Sequence, residues 1–161
     1  MERTILLLGN PLLYQKSEEC RKEELPQISL VKEDLRDTLL AFRRKYGVGR
    51  AIAAPQIGVR KRIIYRHLDT PILFLNPQIE YPEATMREVM DDCMSFPGLL
   101  VKVLRHKRCV LHYRDEQWKA CDLEVEDDMA ELLQHEYDHL DGILATMRAI
   151  DSKSFFIKAS T

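Results

Sequence analysis

His135-Glu136-Tyr137-Asp138-His139 lies inside Asp127–Leu140, where Met129, Leu132, Leu133 and Leu140 recur as an apolar stripe at helical spacing. Glu126, Asp127 and Asp128 open the stretch, acids placed where a helix N-terminus favours negative charge. The sequence therefore predicts a helix over Asp127–Leu140. Residues four apart on a helix share a face, so the imidazoles of His135 and His139 can reach one metal ion. Glu136 follows the first ligand directly and can lean toward the ion's open position as a general base. Two ordinary helix histidines are the plain alternative, and a chance H-E-x-x-H in a chain of this size is rare enough to favour the metal.

Upstream of this helix, from Arg62 to Val125, the pattern changes to short β-rich segments. Ile63–Tyr65, Ile72–Leu75, Leu99–Leu104, Cys109–Tyr113 and Trp118–Val125 are divided by Asp-Thr-Pro, Asn-Pro, Phe-Pro-Gly and Asp-Glu-Gln turns. Earlier still, Leu35, Leu39, Phe42 and Tyr46 fall on one helical face, with Ser29 ahead of them and Gly47 behind. That predicts a helix over Val31–Tyr46. The charged run Lys16–Glu24, followed by Pro26, reads as a solvated loop or a short polar helix. Helix, strands, then helix describes an α+β chain whose second helix packs on an antiparallel sheet.

At 161 residues the chain is the size of a single domain, and nothing in it marks a boundary: it has no repeat, low-complexity tract or Ser/Gly linker. Apolar residues at 45% and charged residues at 31% allow a core and exclude a disordered chain. With 24 Lys plus Arg against 26 Asp plus Glu, the formal charge is −2, which argues against direct nucleic-acid binding. No apolar run approaches the roughly 18 residues of a membrane span. The apolar stretch Ile5–Leu8, ended by Gly9-Asn10-Pro11, is too short for a signal peptide. Cys20, Cys93, Cys109 and Cys121 show no C-x-x-C spacing, so a reducing, cytoplasmic setting is expected over a disulfide scaffold.

A catalytic metal usually takes three protein ligands. Asp138 and Asp141 near the helix end are candidates for the third, as is Cys93 in Asp91-Asp92-Cys93-Met94-Ser95-Phe96-Pro97-Gly98. A metal would deprotonate that thiol outright, whereas its own flanking carboxylates oppose the thiolate, and a lone buried cysteine is otherwise ordinary packing. A further segment, Gly49-Arg50-Ala51-Ile52-Ala53-Ala54-Pro55-Gln56-Ile57-Gly58, surrounds one glutamine with small residues. It suits a backbone that approaches a ligand closely, or equally a tight helix-to-strand connection. His67, His106 and His112 read as strand or surface residues, Cys20, Cys109 and Cys121 as packing or surface thiols, and Arg50 as a solvated side chain.

In order and spacing these three segments resemble the peptide deformylase family, whose pattern is G-x-G-x-A-A-x-Q-x-G, then E-G-C-L-S, then H-E-x-D-H. Ile5–Leu13 is similar to the family's opening I-x-x-x-G-x-P-x-L, Leu75-Asn76-Pro77 to its L-x-N-P, and Gln134–Gly142 to its Q-H-E-x-D-H-L-x-G. The resemblance implies antiparallel strands around a central metal-binding helix. It also implies one divalent ion held by Cys93, His135 and His139, usually Fe(II) in the family, with Zn, Ni or Co able to occupy such a site. The implied reaction is removal of the N-formyl group from the initiator methionine of a nascent chain, with the ribosome as a candidate partner. Glu136 would be the base, Gln56 and the backbone N–H of Met94 the oxyanion donors, and the backbone of Ala51 and Ile52 the peptide-binding edge. Leu132 would wall the methionine pocket.

The chain departs from the family pattern at Ala51, in place of the second glycine, and at Asp91-Asp92, in place of Glu-Gly. Asp92 thereby brings an acid beside the bound peptide. After Leu144 the usual F-x-D is also missing, so the sequence leaves a long C-terminal helix open. These departures keep open a related metal amidase acting on another N-acyl or formyl amide. A non-catalytic module that binds N-terminal peptides has less in its favour, because holding a metal requires neither Glu136 nor Gln56. A general zinc endopeptidase is disfavoured too, since no Glu or His follows His139.

Overall fold

The computed structural model describes residues 1–159. Helix α1 (Leu25–Tyr46) leads into strands β1 (Ala51–Ala53), β2 (Ile63–Arg66) and β3 (Ile72–Glu80). Strands β4 (Met86–Asp91), β5 (Leu99–His106), β6 (Arg108–Arg114) and β7 (Ala120–Glu126) follow, then helix α2 (Asp127–Leu140) and strand β8 (Phe155–Ile157). One antiparallel sheet runs in the order β1-β2-β3-β6-β7 and a second in the order β4-β5-β8. Helix α2 lies against strands of both sheets, which is the α+β architecture with a central helix expected above.

The strands explain their own sequences. Ile63, Tyr65, Leu73 and Leu75 pack with Leu35 and Leu39 of α1, while Ile64 and Phe74 pack with Ala130, Leu133 and Leu140 of α2. Side chains alternate across a strand, so covering both faces requires the continuous apolar runs found in β2 and β3. β7 is covered on one face only, and its Cys121, Leu123 and Val125 alternate with the exposed Asp122, Glu124 and Glu126. The pairing of β3 with β6 shifts register between Leu75 and Gln78. Asn76 occupies that bulge at φ +49°, and its side-chain amide holds both the N–H (2.7 Å) and the C=O (2.8 Å) of Cys20.

Eight side chains of α2 are buried, from Ala130 through Leu140, because its apolar side meets one sheet and its polar side faces the other. Gln134 secures the second contact, accepting from His106 N–H at 2.9 Å and donating to His106 C=O at 2.8 Å. At the helix end, the orphan carbonyl of Leu140 accepts from Ser17 N–H (2.8 Å) and from Arg62 (3.0 Å). Gly142 then turns the chain at φ +73°, and a Cβ there would lie 2.5 Å from the carbonyl oxygen of Tyr14.

Several boundaries differ from the sequence reading. α1 begins at Leu25 rather than Val31, because Pro26 sits in the first turn, where its missing N–H is not needed. In the charged run, Ser17 and Cys20 are buried and Lys22–Glu24 form a 3-10 turn, so the run is only partly solvated. The last strand before α2 starts at Ala120, after a turn in which Asp115 Oδ1 accepts from the N–H groups of Gln117 and Lys119 and Trp118 adopts φ +65°. Strands β1, β4 and β8 carry no alternation that the sequence alone would reveal. Beyond Leu144 the described residues form a 3-10 turn at Ala145–Arg148 and then β8, with no long helix.

Candidate active site

His135 and His139 project from the same face of α2, and Cys93 reaches them from the loop that follows β4. Nε2 of His139 is 3.2 Å from Nε2 of His135 and 3.3 Å from Sγ of Cys93, and all three side chains are buried. Tetrahedral ligands about 2.0–2.3 Å from one ion lie about 3.3–3.6 Å apart, so these spacings fit a shared divalent cation. The set of one thiolate and two imidazoles suits a first-row transition metal. Asp138 and Asp141, the other sequence candidates for third ligand, are engaged elsewhere. Asp138 pairs with Arg105 at 2.6 Å and Arg148 at 2.6 Å, and Asp141 with Arg62 at 2.9 Å.

Behind the centre runs a chain of buried charges. Oδ2 of Asp91 lies 3.0 Å from Nδ1 of His135 and 2.7 Å from Arg105, which bridges on to Asp138. Burial works against ionisation of Asp91, but His135 and Arg105 outweigh it and hold the carboxyl at about 2. The sequence assigned no role to Asp91 or Arg105: the place of Asp91 as the first residue of the cysteine motif is the one signal it offers, and nothing local marks Arg105. His139 has no such support: its Nδ1 is buried without a partner among the described residues.

Glu136 is buried next to the first histidine ligand, and its Oε2 makes no hydrogen bond within the described residues. Burial pushes its carboxyl up to about 7, against the pull of neighbouring His135. Gln56 is held by its Oε1, which accepts from Ala53 N–H at 3.0 Å. Its Nε2 is thereby aimed at Ser95 Oγ (3.1 Å) and Cys93 Sγ (3.6 Å). The 3-10 turn at Ala54–Ile57 supplies this geometry, with Gly58 closing it at φ +81°.

Cys93, His135 and Glu136 open onto a cleft of about 1180 Å³ lined also by, among others, Arg50, Ala51, Asp92, Met94, Leu132 and Lys158. β1 forms its edge. His67 N–H donates to Arg50 C=O at 2.8 Å, and Ala51 is opposite Arg66, so in an antiparallel ladder the Ala51 N–H and C=O point away from β2. Ile52 is fully buried in the core, and the same ladder turns its N–H and C=O to Tyr65. Of the two residues expected at the peptide edge, the structure thus presents Ala51 and not Ile52. Asp92 sits at the rim with its Oδ2 2.9 Å from Lys158 Nζ. Of the remaining histidines, His67 accompanies Tyr65 at 2.6 Å, His106 stacks on Tyr81 and His112 is exposed between Glu80 and Asp122.

The polypeptide deformylase family matches residues 2–155. The chain belongs to that family. It is 35% identical over 158 residues to the peptide deformylase of Pseudothermotoga lettingae, a match covering 98% of this chain and 89% of the relative. Among solved structures, peptide deformylase from Thermotoga maritima superposes with a TM-score of 0.85 at 26% identity, covering 94% of this chain and 99% of that one. The Thermus thermophilus deformylase gives 0.81 at 34% identity, covering 91% and 84%. The deformylase is thus an enzyme of a metal-dependent hydrolase family whose reaction removes the formyl group from nascent chains. The Cys93, His135 and His139 cluster is where this deformylase can hold a metal.

Proposed function

We propose that this deformylase hydrolyses the N-formyl group of the initiator methionine at a centre built by Cys93, His135 and His139, with Glu136 as general base. The observation that carries this reading is the convergence of three buried ligand atoms beside a carboxylate oxygen with no partner of its own among the described residues. A divalent ion bound there supplies Lewis acidity, polarising the formyl carbonyl and lowering the pKa of water. Glu136 takes a proton from the attacking water and delivers it to the amine nitrogen as the C–N bond breaks, leaving formate and a free N-terminus. The Gln56 side-chain amide and the Met94 backbone N–H donate to the developing oxyanion, and the Ala53 contact keeps Gln56 oriented for it. The open backbone groups of Ala51 add the peptide as a further strand.

Fe(II) is the ion proposed on family resemblance, and the same donor set accepts Zn, Ni or Co. The catalytic unit is residues 1–161 as one domain acting in the cytoplasm on chains emerging from the ribosome. The test is turnover of a formyl-Met peptide beside its acetyl-Met analogue with anaerobic Fe(II) or with Ni(II). Release of formate from the first and not of acetate from the second is expected. Equal turnover of both would replace deformylation with a broader amidase activity.

A further inference from the structure

Helix α2 presents Glu131 and Leu132 to the cleft about one turn before His135 and Glu136. Arg50, beside β1, lines the same cleft and is near enough to pull on the charge of Glu131. Of the cleft's other acids, Asp91 is paired with Arg105 and Asp92 with Lys158, whereas Asp69 and the Glu136 of the centre itself have no ion-pair partner among the described residues. Glu131 is half-buried, and among the described residues its side chain has no hydrogen-bond or ion-pair partner. If the formyl carbon sits at the metal centre, the substrate's first side chain departs two bonds further on. Along α2, one helical turn, about 5 Å, separates His135 and Glu136 at the centre from Glu131 and Leu132, a span that an extended unbranched side chain leaving the centre can cover.

We propose that Glu131 is a specificity-determining residue for the substrate's first side chain, making this subsite accept side chains that end in a hydrogen-bond donor, cationic ones included, alongside methionine. The proposal rests on the deformylase reading and names the substrate class of that same site. Leu132 supplies an apolar wall for the stem of the side chain, and Glu131 meets its end. An apolar end strips water from the carboxylate and returns no hydrogen bond, whereas an ammonium or amide end replaces what the water gave. Burial together with the charges of Asp91 and Asp128 holds the Glu131 carboxyl above its usual range, a negative surrounding that a cationic end relieves.

The experiment compares kcat/KM of the full chain loaded with Ni(II) on formyl-Met-, formyl-norleucyl-, formyl-Gln- and formyl-Lys-Ala-Ser. The parent is expected to handle the Lys and Gln peptides within about tenfold of the Met peptide. In Glu131→Leu the Met-to-Lys ratio should rise about tenfold or more, in the range that pocket contacts command. Glu131→Gln should keep the Gln peptide and lose ground on the Lys peptide, and metal content measured in each variant checks that the centre is intact. A Met-to-Lys ratio unchanged within about twofold across all three proteins, or a parent that rejects both polar peptides, overturns the proposal. A parent that turns over none of the four peptides overturns the deformylase reading and this proposal with it.

Discussion

Asp91 Oδ2 sits 3.0 Å from His135 Nδ1, with both side chains sealed from solvent. A carboxylate there fixes the imidazole tautomer, leaving Nε2 free to bind a metal and raising its basicity. Asp91→Asn keeps the shape and removes the charge. Metal affinity should fall about 10–100-fold, the usual cost of losing such a partner. Competition with a chelator of known affinity measures it, and parental affinity would show that His135 needs no help from Asp91.

Glu136→Gln separates base from ligand. An amide cannot take the proton, so turnover of formyl-Met peptide should drop about 10²–10⁴-fold while the metal is retained. Cys93→Ser should do the reverse first, weakening metal retention because a hydroxyl is a poorer ligand than a thiolate. Metal analysis and formate release on both variants give a crossed pattern. A Cys93→Ser protein with unchanged metal affinity would remove Cys93 from the centre.

Arg105 is 3% exposed and binds Asp91 and Asp138 at once. Arg148 remains on Asp138 when Arg105 is replaced, so the loss falls on Asp91, left as a buried charge with only His135. Arg105→Met should therefore cost about 3–5 kcal/mol. Denaturant unfolding of the parent and the variant measures the difference, and a change below about 1 kcal/mol would mean that water reaches Asp91.

Both histidines of the candidate metal cluster and the whole of α2 were legible because a helix repeats every 3.6 residues and its ends are marked by charge. β2 and β3 were legible as apolar runs, since each is covered on both faces. Strand β1 was not, for its three residues, an isoleucine between two alanines, are defined by pairing to Ile64–Arg66 and by the cleft they border. The register also decides what spacing could not: it turns Ile52 inward and leaves Ala51 to the open edge. Arg105 escaped notice for a similar reason, since its partners lie 14 and 33 residues away and only the fold brings them together.

Gly142 links the end of α2 to the N-terminal segment, and its φ of +73° is compounded by the approach of Tyr14 C=O, 2.5 Å from where a Cβ would be. Gly142→Ala combines left-handed strain with a backbone clash and should cost about 2 kcal/mol or more. A lowered Tm is the readout. Because Gly142 N–H donates to His139 C=O at 3.1 Å, metal affinity should fall alongside stability. An unshifted Tm would show that the Tyr14 segment yields without cost.

Asp92 replaces a glycine of the family pattern at the cleft rim, but its charge is not free to act on a peptide. Lys158 Nζ is 2.9 Å away, and the two side chains are 51% and 34% exposed. A neutralised pair should leave formyl-Met-Lys and formyl-Met-Glu peptides with nearly equal kcat/KM in the parent. Lys158→Ala removes the partner and exposes the carboxylate, so the Lys peptide should then be preferred by a few-fold, a difference of ~1 kcal/mol or less for a solvated charge. That preference should shrink as salt rises from low ionic strength toward 1 M, where the screening length falls to about 3 Å. Adding Asp92→Gly to Lys158→Ala should restore equality, since no charge is left to discriminate. A preference that persists in the double variant would place its origin elsewhere in the cleft, and a strong preference already present in the parent would mean that Lys158 does not screen Asp92 from the peptide.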